Sequence, residues 1–174
     1  MASILPLPPG VVGEVVGRSH GDLGRVRELV GQYPTAVNAA FDWGNGDFET
    51  ALGAAAHSGR RDIAEFLLSK GARMDVFAAA MLGKLSIVKA MVADDGAVAG
   101  SAGPHGIPLI EHAKKGGSAE VVAYLEGILY PERAAQRRMR EEKRGAVAAR
   151  VVVSKVGKKV NGVKKVLKGK VRPR

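Results

Sequence analysis

Thr50-Ala-Leu-Gly-Ala-Ala-Ala-His-Ser-Gly59, continued by Arg60-Arg-Asp-Ile-Ala-Glu-Phe-Leu-Leu-Ser-Lys-Gly-Ala-Arg-Met-Asp75, decides how this chain folds. Ala55 and Ala56 stand one helical turn before Gly59, where small side chains let two antiparallel helices approach closely. Ile63, Phe66 and Leu67 then recur at i, i+3 and i+4, the spacing of a core-facing stripe on a second helix. Gly71 falls where that helix needs a left-handed end, a conformation that glycine adopts without a Cβ clash. The stretch therefore predicts a short helix, a glycine turn, a second helix and a glycine stop.

Working outward, the same order recurs, as a self-comparison for repeats should reveal. Phe77-Ala-Ala-Ala-Met-Leu82 precedes Gly83, and Leu85, Ile87, Val88, Met91 and Val92 follow it. Ile107-Pro-Leu-Ile-Glu-His-Ala113 precedes Gly116, with Val121, Val122, Tyr124 and Leu125 beyond and Gly117 read as a one-residue insertion. A weaker copy surrounds Gly21, with Val26, Leu29 and Val30 after it but Gly17-Arg-Ser-His20 before it in place of an alanine pair. The anchors Gly83 and Gly116 are 33 residues apart, Gly59 and Gly83 only 24, and Gly21 and Gly59 fully 38. The short interval leaves residues 72–75 as the whole connection, so a projecting finger is expected to be missing there. The long interval predicts an enlarged finger over residues 38–48, turned by Gly44-Asn-Gly46, whose residues tolerate positive φ. A second finger is expected over 96–106, where Gly100, Gly103, Pro104 and Gly106 cluster. Two fingers with a gap between them predict a discontinuous rim.

This pattern resembles an ankyrin repeat array, whose unit is a β-turn and two helices with a motif close to T-P-L-H-x-A-A-x-x-G. Thr50 to Gly59 and Lys70-Gly71-Ala72 are the best matches, and Ile107-Pro108-Leu109 supplies a similar helix start in the last unit. The motif's helix-opening His is replaced by Gly53, Phe77 and Ile110, so the turn bonds that it would make are not expected. The resemblance covers roughly Val12 to Gly127. It implies an all-α fold, an ankyrin-type helix-turn-helix solenoid of about four degenerate repeats, followed by a basic tail that is partly helical or disordered. The expected division is an N-terminal arm over 1–11, repeats over 12–127 and the tail over 128–174. The resemblance also implies a non-catalytic protein-binding scaffold, reading an unidentified protein partner through its fingers and concave face.

Charge is distributed as two blocks. The 174 residues carry 27 Lys and Arg against 17 Asp and Glu, but residues 129–174 hold 16 of the basic groups and only 3 of the acidic ones. A near-neutral body thus carries a basic tail. Pro131 to Arg144 suits a helix, with Glu141 and Glu142 one turn from Arg137 and Arg138. Beyond it, Val153, Val156, Val160, Val163 and Leu167 form an apolar stripe among lysines. Lys155, Lys158, Lys159, Lys164, Lys165, Lys168 and Lys170 are the candidate polyanion-binding residues, which gives the alternative function: an adaptor for nucleic acid or an anionic membrane surface. Such a valine- and glycine-rich basic segment is a poor helix alone and is expected to order on an acidic partner.

No cysteine means no disulfide framework and no Cys-ligated zinc. The start, Met1 to Pro9, has no positive segment and three prolines, so neither a secretory nor a transit leader is expected. No run of about 18 apolar residues occurs, so no membrane span is expected either. The expected location is the cytoplasm, with the nucleus as the alternative in a eukaryotic source.

Asp42, Asp47, Glu49, His57, His105 and His112 lie in or beside the fingers and first helices, and carboxylates with imidazoles are the raw material of acid–base chemistry. No H-E-x-x-H, G-x-S-x-G or phosphate-loop pattern accompanies them, so no catalytic residue, cofactor or metal is expected. His57 is expected to be a solvated helix residue, His105 a turn residue and His112 partly buried or capping. Trp43, the single tryptophan, sits in the enlarged finger, where it either anchors a partner or folds back to close the loop. Asp42, Trp43, Asp47, Phe48, His57 and His105 are the candidate partner-binding residues.

Overall fold

The computed structural model describes residues 6–8, 10–133 and 135–144. The chain divides into two units, Met1–Leu129 and Tyr130–Arg174. The first unit is a stack of helix pairs: α1 (Val11–Arg18) with α2 (Leu23–Gln32), α3 (Ala51–His57) with α4 (Arg61–Ser69), α5 (Val76–Met81) with α6 (Leu85–Asp94), and α7 (Leu109–Lys115) with α8 (Ala119–Leu129). The first helices of the pairs form one layer, α1 on α3, α3 on α5 and α5 on α7. Their partners form a second layer, in which α2 meets α4 and α6 meets α8.

The alanine-rich helices lie where the sequence requires small residues. Ala54, Ala55 and Ala56 of α3 and Ala78, Ala79 and Ala80 of α5 are fully buried. The second helices send Val26, Leu29, Ile63 and Leu67 into one core cluster and Val88, Val121 and Leu125 into a second, with α5 contributing to both, the inter-pair packing on which a repeat array depends. Thr50 accepts the Gly53 N–H at 2.9 Å and Asp75 accepts the Ala78 N–H at 2.7 Å, so α3 and α5 each begin on a capping side chain.

The glycine anchors need one correction. Gly59, Gly83 and Gly117 all have positive φ, at 70°, 76° and 66°, and each follows a helix-ending residue and precedes the next helix start. The last unit's turn glycine is therefore Gly117, and Gly116 is the end of α7 with φ -78°. Gly116 is fixed for another reason: a Cβ there would lie 1.8 Å from the Met81 carbonyl oxygen. The extra turn residue belongs to the first pair, where Ser19, His20, Gly21 and Asp22 separate α1 from α2.

The fingers differ as their lengths suggest. Residues 70–75 join α4 to α5 without a finger. The enlarged finger is a hairpin of β1 (Ala40–Asp42) and β2 (Phe48–Thr50), with Asp42 opposite Phe48 and Phe41 opposite Glu49. Gly44, Asn45 and Gly46 turn it with φ of 112°, 56° and 80°, the left-handed conformations anticipated for those residues. The second finger, between α6 and α7, holds short helical turns over Gly96–Gly100 and Pro104–Gly106 and a bridge from Ala102 to Pro108.

In the second unit, residues 131–133 and 135–144 are helical, and Arg137 Nε donates to Glu141 at 3.1 Å. The valine stripe and the seven candidate lysines from Lys155 to Lys170 lie outside the described residues.

Candidate functional site: an imidazole and carboxylate cluster under two fingers

Strand alternation turns Glu49 inward. Its register partner Phe41 and the following Trp43 share that face, whereas Phe48 and Asp42 share the other. Glu49 is completely buried, and three imidazoles from three separate segments converge on it. His57, the last residue of α3, donates from Nε2 to Glu49 Oε1 at 2.6 Å. His20, the extra residue of the first turn, places Nε2 at 3.6 Å from Oε2. His105, from the second finger, places Nε2 at 3.5 Å from Oε1. Trp43 completes the set by donating from its indole Nε1 to Oε2 at 2.8 Å. The rings stack edge to face, with His57 at 4.8 Å from His20 and 5.2 Å from His105 between centroids.

Burial pushes the Glu49 carboxyl up, but the hydrogen bonds from His57 and Trp43 and the pull of His20 outweigh it and hold the group below its ordinary value. Glu49 is therefore an anion in a dry setting, and its oxygens are accounted for by donors that come from elsewhere in the chain.

His105 is fixed by the opposite finger. Its backbone N–H donates to Asp47 Oδ1 at 2.9 Å and its ring Nδ1 to Oδ2 at 2.7 Å. Those two bonds hold the Asp47 carboxyl below its ordinary value. They also hold His105 at φ 57°, a conformation that costs a non-glycine residue free energy and persists only under such restraint. The two fingers thus meet, and the expected discontinuous rim is corrected to a joined one. The physical reason is the fingerless third pair: α5 has only six residues, and α3 touches α7 across it.

The structure regroups the residues singled out in the sequence. His57 is not solvated; its side chain is 12% exposed and engaged with Glu49. Trp43 folds back onto Glu49 and edge-on to Phe41 at 4.8 Å, the loop-closing alternative, and remains 47% exposed. Phe48, 64% exposed, and Asp42, which caps the Gly44 N–H at 2.8 Å, lie on the outer face of the hairpin. His112 is fully buried in α7, donates from Nδ1 to the Pro108 carbonyl at 3.1 Å, and leaves Nε2 without a partner. It packs against Phe77 at 5.0 Å and lies edge-on to His57 at 6.5 Å, behind the cluster.

His20 and the central role of Glu49 have no sequence motif behind them. The usable signals were the hairpin register, which fixes where Glu49 points, and the longer first turn. A separate groove is lined by Arg27, Val30, Gly31, Pro34, Phe66 and Lys70, where Arg27 and Lys70 stand over the Phe66 ring at 5.4 and 5.8 Å. It offers cations and an aromatic face but no acid–base pair.

Residues 47–79 match the family model described as ankyrin repeat. That span covers β2, α3, α4 and the start of α5, and so contains Glu49 and His57. No curated protein and no solved structure matches the chain. Among the described residues, no helix is long and apolar enough to cross a membrane.

Proposed function

We propose that this chain, which belongs to the ankyrin repeat family, is a non-catalytic module that binds a protein partner through the joined fingers. Ankyrin repeats mediate protein–protein interactions in general, and the family is generally non-enzymatic. The observation that carries the reading here is the hairpin's pair of exposed aromatics, Phe48 at 64% and Trp43 at 47%. Large aromatics on a restrained loop are effective anchors, because they bury much area on binding and lose little conformational freedom. The Glu49 cluster and the Asp47–His105 bonds supply that restraint, which lowers the ordering cost of association. Exposed Asp42 beside Phe48 adds a carboxylate to the outer face and favours a partner with a basic or amide group near an apolar pocket.

The test is affinity capture from cell extract with the full chain, with Phe48→Ala, and with a chain ending at Tyr130, at low and moderate salt. The finger reading expects the same protein with the full and shortened chains, and its loss with Phe48→Ala. Capture that needs the tail and is stripped by salt would place recognition in the basic segment, as expected for charge-driven binding.

A further inference from the structure

Three of the chain's four histidines converge with a buried carboxylate, and this is more than a hairpin support requires. His20, Glu49, His57 and His105 each offer one ligand atom, and these atoms all lie within 4.8 Å of one another. We propose that these four residues form a binding site for one divalent zinc-class metal ion, which clamps the first turn, the hairpin, α3 and the second finger together.

The orientation of the rings carries the argument. The Gly17 carbonyl can only accept, so the 3.0 Å contact from His20 Nδ1 places that ring's proton on Nδ1. His20 Nε2 is then the ring nitrogen turned to Glu49 Oε2, 3.6 Å away. Asp47 likewise engages His105 at Nδ1, which turns Nε2 toward Glu49 Oε1 at 3.5 Å. Both Nε2 atoms thus face the Glu49 carboxylate beside His57 Nε2, so three ring nitrogens and a carboxylate oxygen stand together within reach of one ion. A ring whose other nitrogen is tied to a carbonyl or a carboxylate is also how proteins orient metal-binding imidazoles. Asp47 and the Gly17 carbonyl fill that outer role, and Trp43 fills it for Glu49.

Three imidazole nitrogens and one carboxylate oxygen, with no thiolate, suit zinc or a similar borderline ion. At zinc bond lengths, four tetrahedral ligands stand about 3.3 Å apart. The 3.5 Å from His105 Nε2 to Glu49 Oε1 is close to this, His20 Nε2 stands 3.6 Å from the other oxygen, Oε2, and the 2.6 Å contact from His57 to Oε1 opens as the ion replaces its hydrogen bond. On binding, His57 gives up its Nε2 proton to solvent, so Nε2 becomes a ligand and the ring's proton stands on Nδ1. The His20 and His105 side chains are 33% and 34% exposed, which leaves the ion a path from solvent. The ligands come from positions 20, 49, 57 and 105, which is why no local spacing announces them.

The untagged full chain is treated with EDTA, moved to chelator-free buffer and titrated with zinc chloride and, separately, cobalt chloride. The proposal expects one ion per chain, a change in Trp43 fluorescence, and the strong visible absorption of tetrahedral cobalt. It also expects Tm to rise by about 5 to 10 °C when free zinc is a hundred times its dissociation constant. His20→Ala and His105→Asn, the latter keeping a residue at ease with positive φ, retain the circular dichroism spectrum and weaken binding tenfold or more. Asp47→Asn, a positioning change, weakens it about tenfold, and His112→Leu leaves it unchanged. Equal zinc binding by wild type, His20→Ala and His105→Asn would overturn the proposal, as would a wild-type chain whose Tm and fluorescence ignore zinc. These readouts need no protein partner, so they stand or fall apart from the capture experiment.

Discussion

Asp47 grips His105 twice, at the backbone N–H and at the ring, across 58 residues of sequence. This pair joins the hairpin of the second helix pair to the finger of the fourth. It also explains how a histidine persists at φ 57° in a finger that otherwise relies on glycine and proline.

Asp47→Ala removes both acceptors, so the His105 amide should lose its protection. Native-state hydrogen exchange is expected to show that amide exchanging roughly tenfold faster or more, while the amides of α3 and α4 keep their wild-type rates. Asp47→Asn retains an acceptor for the backbone N–H and should fall between the two.

Gly116 and Gly127 are helix-region glycines with opposite surroundings. A Cβ at Gly116 would strike the Met81 carbonyl at 1.8 Å, while nothing lies within 4 Å of one at Gly127. Gly116→Ala should therefore cost about 3 kcal/mol through backbone displacement. Gly127→Ala in α8 should add about 0.5–1 kcal/mol. Urea unfolding midpoints measure both.

Leu67 lies at the centre of the stack with no exposed surface. Leu67→Asp buries a charge with no partner, and the cooperative melting transition is expected to disappear. An unchanged melting curve would refute the assignment of α4's inward face.

Acidification should weaken the fold through His112. Burial drives its pKa below the ordinary value, helped by His57 and opposed by the Pro108 hydrogen bond and by Asp75. The unfolded chain then binds the proton more readily than the folded one, so stability rises with pH across this window. The contribution is full above about pH 6.5, the ordinary histidine value, and is lost as pH falls toward the folded pKa. The urea midpoint of the wild type should drop more between pH 7.5 and 5.5 than that of His112→Leu.

Much of this architecture was legible because the helices announce themselves locally. Gly59 and Gly83 mark their turns, the Ala54–Ala56 and Ala78–Ala80 runs mark close packing, and Gly44-Asn-Gly46 marks the hairpin. The shift from Gly116 to Gly117 arose because two adjacent glycines serve different needs, one left-handed and one crowded by Met81. The site was far less legible. Phe48 and Trp43 are near neighbours in sequence but face opposite sides of a hairpin, and the register that separates them is a tertiary outcome. His20 joins Glu49 only because the first turn is one residue longer, and His105 only because the third pair lacks a finger.

Convergence of three imidazoles on Glu49 underlies both the joined rim and the metal clamp, and a long-range proton–nitrogen correlation spectrum of the metal-free chain near neutral pH tests it most directly. The account predicts protons on Nδ1 of His20, His105 and His112 and on Nε2 of His57, each as a distinct, slowly exchanging site. Four rings with the same averaged, solvent-like pattern would contradict it.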